Sequence, residues 1–241
     1  MKADSNELLL YLHIPKTGGT SFTQMILDNC PKTVYYFQVS SSPVATAEAL
    51  NTVDALCGHF PYGIHRETER PFRYITMLRD PVELTISYFY FMYHNVNHPL
   101  YYAPYLCIDE FIHNPLFDNE YVNLQTRFIS GNIDTLAPDL KLAKKILARK
   151  MSLVGITEMY AESQFLLADG MGWPLQRYPT LNVTTNRLKQ NQISSATLQL
   201  IREKNSIDIA LYQYALEQMH KKLGHLSPAQ HSALQHFKSS P

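Results

Sequence analysis

Apolar residues fall in short runs separated by polar, proline- or glycine-bearing segments. The runs at about 8–14, 34–39, 54–58, 72–79 and 151–156 are each followed by a helical or loop segment, which predicts buried strands. Helices are expected at about 19–29, 81–95, 118–130, 138–150, 158–170, 194–204 and 206–222. This alternation predicts an α/β fold: a single domain with a mostly parallel central sheet flanked by helices. With 241 residues, 45% of them hydrophobic and 12% aromatic, the chain can bury one substantial core. Residues 1–224 are taken as the domain. Residues 225–241, with His225, His231 and His236 among Ser, Gln and Pro, are expected to form a loosely ordered tail.

Residues 12–22 read as a strand end, a tight turn and a helix start. The apolar run Leu8 to Leu12 feeds Pro15, and Gly18 and Gly19 let the backbone approach a ligand closely. The first N–H groups of the helix and its dipole favour negative charge in the turn. Lys16 adds a point charge, and Thr17, Thr20 and Ser21 add hydroxyl donors. A plain connecting turn needs less than this. The guest expected in this P-loop-like turn is a phosphate or a sulfate. A nucleotide triphosphatase loop places its lysine after the last glycine, whereas Lys16 precedes Gly18 and Gly19, so that pattern fails.

A second candidate anion site follows the run at 72–79. Asp80 is the expected N-cap, and Pro81 stands where a first helical residue is favoured. Arg79 lies at the strand's carboxyl end, where ligands of open α/β sheets gather, and Ser87 lies about two turns into the helix. An arginine fork and a hydroxyl suit a phosphate. For Arg79 alone, an ion pair with Asp80 or Glu83 explains the residue equally well. Two anion sites on one sheet suggest a nucleotide with phosphates at both ends of its ribose.

At this point the sequence resembles a known family. His13-Ile-Pro-Lys-Thr-Gly-Gly-Thr-Ser21, and Arg79-Asp-Pro-Val-Glu83 with Ser87, look like the 5′-phosphosulfate and 3′-phosphate motifs of sulfotransferases that use 3′-phosphoadenosine 5′-phosphosulfate (PAPS). The likeness is to the carbohydrate branch that includes hexuronyl 2-O-sulfotransferases. It extends through Gly58-His59, Asn123-Leu-Gln-Thr-Arg127, Leu153-Val-Gly-Ile-Thr-Glu158 and Asp208-Ile-Ala-Leu-Tyr212. The resemblance implies PAPS as co-substrate, no required metal, Lys16 on the bridging or sulfuryl oxygens, and the backbone of Thr17, Gly18, Gly19, Thr20 and Ser21 on the 5′-phosphate. It further implies Arg79 and Ser87 on the 3′-phosphate, and Thr184 and Thr185, with Arg187 or Lys189 nearby, touching the cofactor's phosphates.

Sulfuryl transfer needs a base with a pKa suited to neutral pH, which favours histidine. His59 follows the strand expected at 54–58 and matches the Gly-His of the uronyl enzymes. His65 is a weaker substitute, Glu67 and Glu69 are alternatives, and His13 reads as a packed strand histidine. Asn123 and Arg127 share a helix face at spacing i, i+4 and are candidates to meet the acceptor, a carboxylated sugar suiting Arg127; a solvated face is the competing reading. The aromatic run Tyr88 to Tyr93 is expected in the core, and the loop from His94 to Pro104 is the natural place for acceptor contacts.

Charge narrows the acceptor. Lys+Arg 21 balances Asp+Glu 21, so no global field draws in nucleic acid or a long polyanion, and a short glycan or small alcohol fits better. The basic face of Lys141, Lys144, Lys145, Arg149 and Lys150 reads as solvated. Cys30, Cys57 and Cys107 are odd in number and widely spaced, which argues against a disulfide framework or a zinc site and for buried thiols. The first residues run straight into the first strand and no stretch approaches a membrane span, so the expectation is a cytoplasmic enzyme. A chain trimmed of a membrane anchor would read the same, and Asn182-Val-Thr184 would then be a glycosylation acceptor. Two rivals stay open: a nucleotide-dependent kinase or other phosphoryl transferase, and a non-catalytic nucleotide-binding module.

Overall fold

The computed structural model describes residues 7–36, 43–95, 97, 107–179 and 187–239. Among these, five strands form one sheet: β1 (Leu8–Leu12), β2 (Thr33–Tyr36), β3 (Ala55–Gly58), β4 (Phe72–Leu78) and β5 (Met151–Ile156). Their order across the sheet is β2-β3-β1-β4-β5, and every neighbouring pair runs parallel. All five residues of β1 are buried, as a strand covered on both faces requires, which is why its sequence is apolar throughout rather than alternating.

The helices are α1 (Gly19–Asn29), α2 (Pro43–Thr52), α3 (Pro81–His94), α4 (Ile108–His113), α5 (Asp118–Tyr121), α6 (Leu124–Ser130), α7 (Leu140–Lys150), α8 (Tyr160–Met171), α9 (Ser195–Lys204), α10 (Ser206–Gly224) and α11 (Pro228–Ser239). In α1, Phe22, Met25 and Ile26 face the core while Gln24, Leu27 and Asp28 face solvent, the stripe expected of a helix laid on a sheet. The α/β architecture and the five strands are observed, the first ending at Leu12 rather than 14, while residues 37–39 of the second expected strand lie outside the described residues. No helix among the described residues is long and apolar enough to cross a membrane.

Three expectations are corrected. The helix expected over 118–130 is two, α5 and α6, because Asn123 takes a left-handed conformation (φ 49°) between them. Its side chain stabilises the break, donating to Leu136 O at 2.9 Å and accepting from Asp208 N–H at 3.1 Å. The tail from 225 is not loose as far as Ser239. Leu234 and Phe237 of α11 are buried, and Phe237 lies 6.0 Å from the Phe165 ring of α8. Lys238 meets Glu162 at 2.6 Å and Gln230 meets Asp169 at 2.8 Å, so two apolar anchors and a polar border fix the helix. Cys107 is exposed, whereas Cys30 and Cys57 are buried as expected.

Candidate active site

The loops after β3, β1 and β4 stand side by side on the carboxyl edge of the sheet, because those strands are neighbours in that order. The chain leaves β1 through α1 toward β2 on one side and leaves β4 toward β5 on the other. The gap between β1 and β4 is therefore the topological switch point, where ligands of open α/β sheets bind.

The β1–α1 loop folds as an open cradle. Lys16 (φ 66°) and Gly18 (φ 80°) both take left-handed conformations and turn the chain sharply into α1. Gly18 is the N-cap and makes no side-chain cap bond, and no acidic residue stands in the first turn. Those donors and the helix dipole face the loop. Gly19 is required: a Cβ there would lie 1.9 Å from Nε2 of the buried His13 ring. Thr17 hydroxyl donates to Ile14 O at 2.8 Å and Thr76 hydroxyl to Leu12 O at 2.8 Å, fixing the loop from beneath. Of the predicted hydroxyls, that of Thr17 is thus used inside the loop, Ser21 is buried and Thr20 is exposed at the helix start. Lys16 Nζ lies 4.4 Å from the centre of the Phe91 ring, and burial, with Arg79 nearby, lowers its pKa to about 8.

His59 sits just past β3, beside this loop. Its Nδ1 is 2.7 Å from His13 O, and its ring centre is 4.6 Å from that of His13. A carbonyl can only accept, so Nδ1 carries the proton and Nε2 holds the lone pair. Burial lowers the His59 pKa, the bond to His13 O partly offsets this, and the charge of Lys16 lowers it further. His13, pressed between Tyr11, His59 and Gly19, is pushed down to about 3 by burial first and then by His59 and Lys16, so it stays neutral. His65 is far from this edge. Its ring packs 4.5 Å from that of Phe72, the first residue of β4, and its Nδ1 lies 3.0 Å from Tyr74 OH. Glu67 belongs to the same turn, Ile64–Glu67, and Glu67 and Glu69 are both exposed.

The β4–α3 loop carries Arg79. Asp80 caps α3, accepting from Val82 N–H and Glu83 N–H at 3.0 Å each, with Pro81 at the first helical position. Arg79 reaches across the switch point: Nη1 donates to Lys16 O at 2.9 Å, and Nη2 lies 3.9 Å from Glu83. Its Nε is buried with no acceptor among the described residues. Glu83 also holds Arg187 at 2.7 Å and Gln190 at 3.0 Å. Ser87 is buried on α3. Lys189 precedes the short turn Gln190–Gln192. Thr184 and Thr185 lie outside the described residues, as does most of the loop between His94 and Pro104.

Asn123 and Arg127 do not face this mouth. Asn123 is spent on the break described above. Arg127 is buried, with Nε donating to Ile133 O at 2.9 Å, Nη1 to Asn119 O at 2.8 Å and Nη2 also to Ile133 O. With its guanidinium committed to backbone carbonyls, it cannot hold an acceptor carboxylate without breaking the fold around it. The acceptor role expected for both residues is therefore withdrawn. Thr157 and Glu158, given no role by the sequence, brace the site instead. Thr157 Oγ1 lies 2.7 Å from Thr17 O and 3.1 Å from Leu78 O, and Glu158 accepts from Asp80 N–H at 3.1 Å. Their position directly after β5, on the same carboxyl edge, was the available signal.

Residues 1–116 match the family model described as "Sulfotransferase family", a span that contains Lys16, His59, Arg79 and Ser87. Over that span the chain is similar to the sulfotransferase family. The match ends within the first half, before α5. The solved structure of mouse sulfotransferase SULT7A1 complexed with PAP aligns over 98% of this chain and 91% of its own, at 12% identity and a TM-score of 0.43, a likeness too loose to add to the assignment. No curated protein matches the sequence.

Proposed function

We propose that the protein transfers a sulfuryl group from PAPS to an acceptor hydroxyl, with His59 as base. One observation carries the reading: a glycine-capped helix start and a lysine share a mouth with a histidine whose Nδ1–H is tied to His13 O. The residues fit a doubly phosphorylated nucleotide. The N-cap of α1 is a glycine that makes no side-chain cap bond, and Arg79 Nε is a buried donor with no acceptor among the described residues, at the other side of the same switch point.

In the proposed reaction His59 Nε2 takes the proton of the acceptor hydroxyl as that oxygen forms its bond to sulfur. The sulfur–oxygen bond to the 5′-phosphate breaks, and its electron pair stays on the leaving phosphate. Lys16 and the first N–H groups of α1 stabilise that charge, which is larger in the transition state than in the bound donor. Burial keeps His59 neutral and ready to accept a proton. Arg79, with Ser87 deeper on α3, holds the 3′-phosphate. A carbohydrate hydroxyl is the acceptor we favour: the net charge of zero leaves no broad field for a polyanion, and a short glycan needs none.

Turnover of labelled PAPS against sugars, lipids and small phenols, in the presence of a chelator, tests this reading. Sulfated product on a sugar, with turnover abolished by His59→Ala, is the expected result. A requirement for Mg²⁺ and a nucleoside triphosphate would replace it with the kinase reading. PAP binding without turnover on any acceptor would leave a binding module.

A further inference from the structure

Two sequence motifs that contribute no group to the transfer converge on one dipeptide, Arg79-Asp80. The first is the segment 123–127. Gln125 is buried, and its amide makes a reciprocal pair with the Arg79 backbone: Nε2 donates to Arg79 O at 2.9 Å, and Oε1 accepts from Arg79 N–H at 2.8 Å. The amide takes the place of a neighbouring strand just where β4 ends, so the arginine leaves the sheet in a fixed direction. Gln125 is held in turn by Asp208 of α10. That buried carboxylate accepts from Gln125 N–H at 2.9 Å, Thr126 N–H at 2.7 Å and Thr126 hydroxyl at 2.6 Å, supplying the cap that α6 lacks from its own sequence.

The second motif is the face of α10 itself. Tyr212 lies one turn beyond Asp208 and donates to Glu158 Oε2 at 2.9 Å, while Glu158 Oε1 accepts from Asp80 N–H at 3.1 Å. One helix face thus reaches adjacent peptides of the β4–α3 loop through two relays, Asp208 to Gln125 to Arg79 and Tyr212 to Glu158 to Asp80. Burial raises the pKa of both relay carboxylates, and the donors on each offset part of that cost.

We propose that Gln125, set by Asp208 and seconded by the Tyr212–Glu158 relay, is the positioning residue that aims Arg79 at the 3′-phosphate of the nucleotide. This rests on the reading of Arg79 given above, and it reassigns residues 123–127 from an acceptor face to a part of donor recognition.

Calorimetric titration with PAP and with adenosine 5′-monophosphate, which lacks the 3′-phosphate, separates positioning from general support. The wild type is expected to prefer PAP. Gln125→Met keeps the side chain's length but loses both amide bonds, and should reduce that preference about tenfold while leaving monophosphate affinity within about twofold. Tyr212→Phe, at a partly exposed site where folding is secure, should reduce it about threefold through the second relay. An equal loss for both ligands, or an unchanged preference in both variants, would overturn the inference and leave the Arg79 reading intact. A wild type that binds the two nucleotides equally would instead remove Arg79 from the 3′-phosphate, and the inference with it.

Discussion

The β1–α1 and β4–α3 junctions occupy equivalent places in the fold, each a parallel strand turning into a helix on the same edge of the sheet. They are finished in opposite ways. At β4–α3 the chain supplies its own anion: Asp80 accepts two first-turn N–H groups, and Pro81 removes a donor that would otherwise need a partner. At β1–α1 the N-cap is glycine, which makes no side-chain cap bond, and no carboxylate stands in the first turn. The first helix start carries a side-chain cap of its own, and the second carries none at its N-cap, where we propose that the nucleotide sits. A βα junction therefore announces an anion site by what its cap omits as much as by its glycines. Arg79 links the two, since it grows from the closed junction and donates to the backbone of the open one.

The largest effect should come from removing the charge at the open junction. Lys16→Met is expected to lower kcat by about 10²- to 10³-fold with little change in melting temperature, measured by PAPS turnover and thermal unfolding. Closing the open junction comes next. Thr20→Glu places a carboxylate in the exposed first turn of α1, and should stabilise the free protein by about 0.3–1 kcal/mol while weakening PAP at least about tenfold. Equal PAP affinity in that variant would show that the helix start is not where the anion sits.

The pH profile of kcat/KM gives a smaller effect of known sign. Lys16 must be charged to act, and its lowered pKa means that charge is lost as pH rises through about 8, so the free enzyme should lose activity there. His59 must be neutral, and its lowered pKa moves the acid limb below the usual histidine range. Opening the closed junction should matter least. Asp80→Ala removes a cap worth about 1 kcal/mol, a fall in melting temperature of roughly 2–4 °C, without creating a second nucleotide site.

Both junctions were legible in the sequence because their chemistry is local: Lys16, Gly18 and Gly19 lie within four residues, and Asp80 caps N–H groups two and three positions on. The five strands were legible for a similar reason, since a strand covered on both faces is an apolar run. What could not be read depends on partners far along the chain. Arg127 has the spacing of an exposed helix face, yet its guanidinium turns inward to Ile133 and Asn119 carbonyls because Asn123 breaks the helix before it. The bonds of Gln125 to Arg79 and of Asp208 to Gln125 span 46 and 83 residues. α11 escaped notice because its buried face is only Leu234 and Phe237, too narrow a stripe to stand out among histidines and glutamines.

The left-handed backbone of Lys16 sets evolution and engineering against each other at one position. A side chain held at φ 66° disfavours the folded chain by about 1 kcal/mol relative to glycine, which adopts that conformation freely. Selection for heat tolerance alone would drift toward Lys16→Gly and discard the cation we propose for the transfer. A screen for more rugged variants therefore has to score turnover alongside survival, or its winners will be durable and inert.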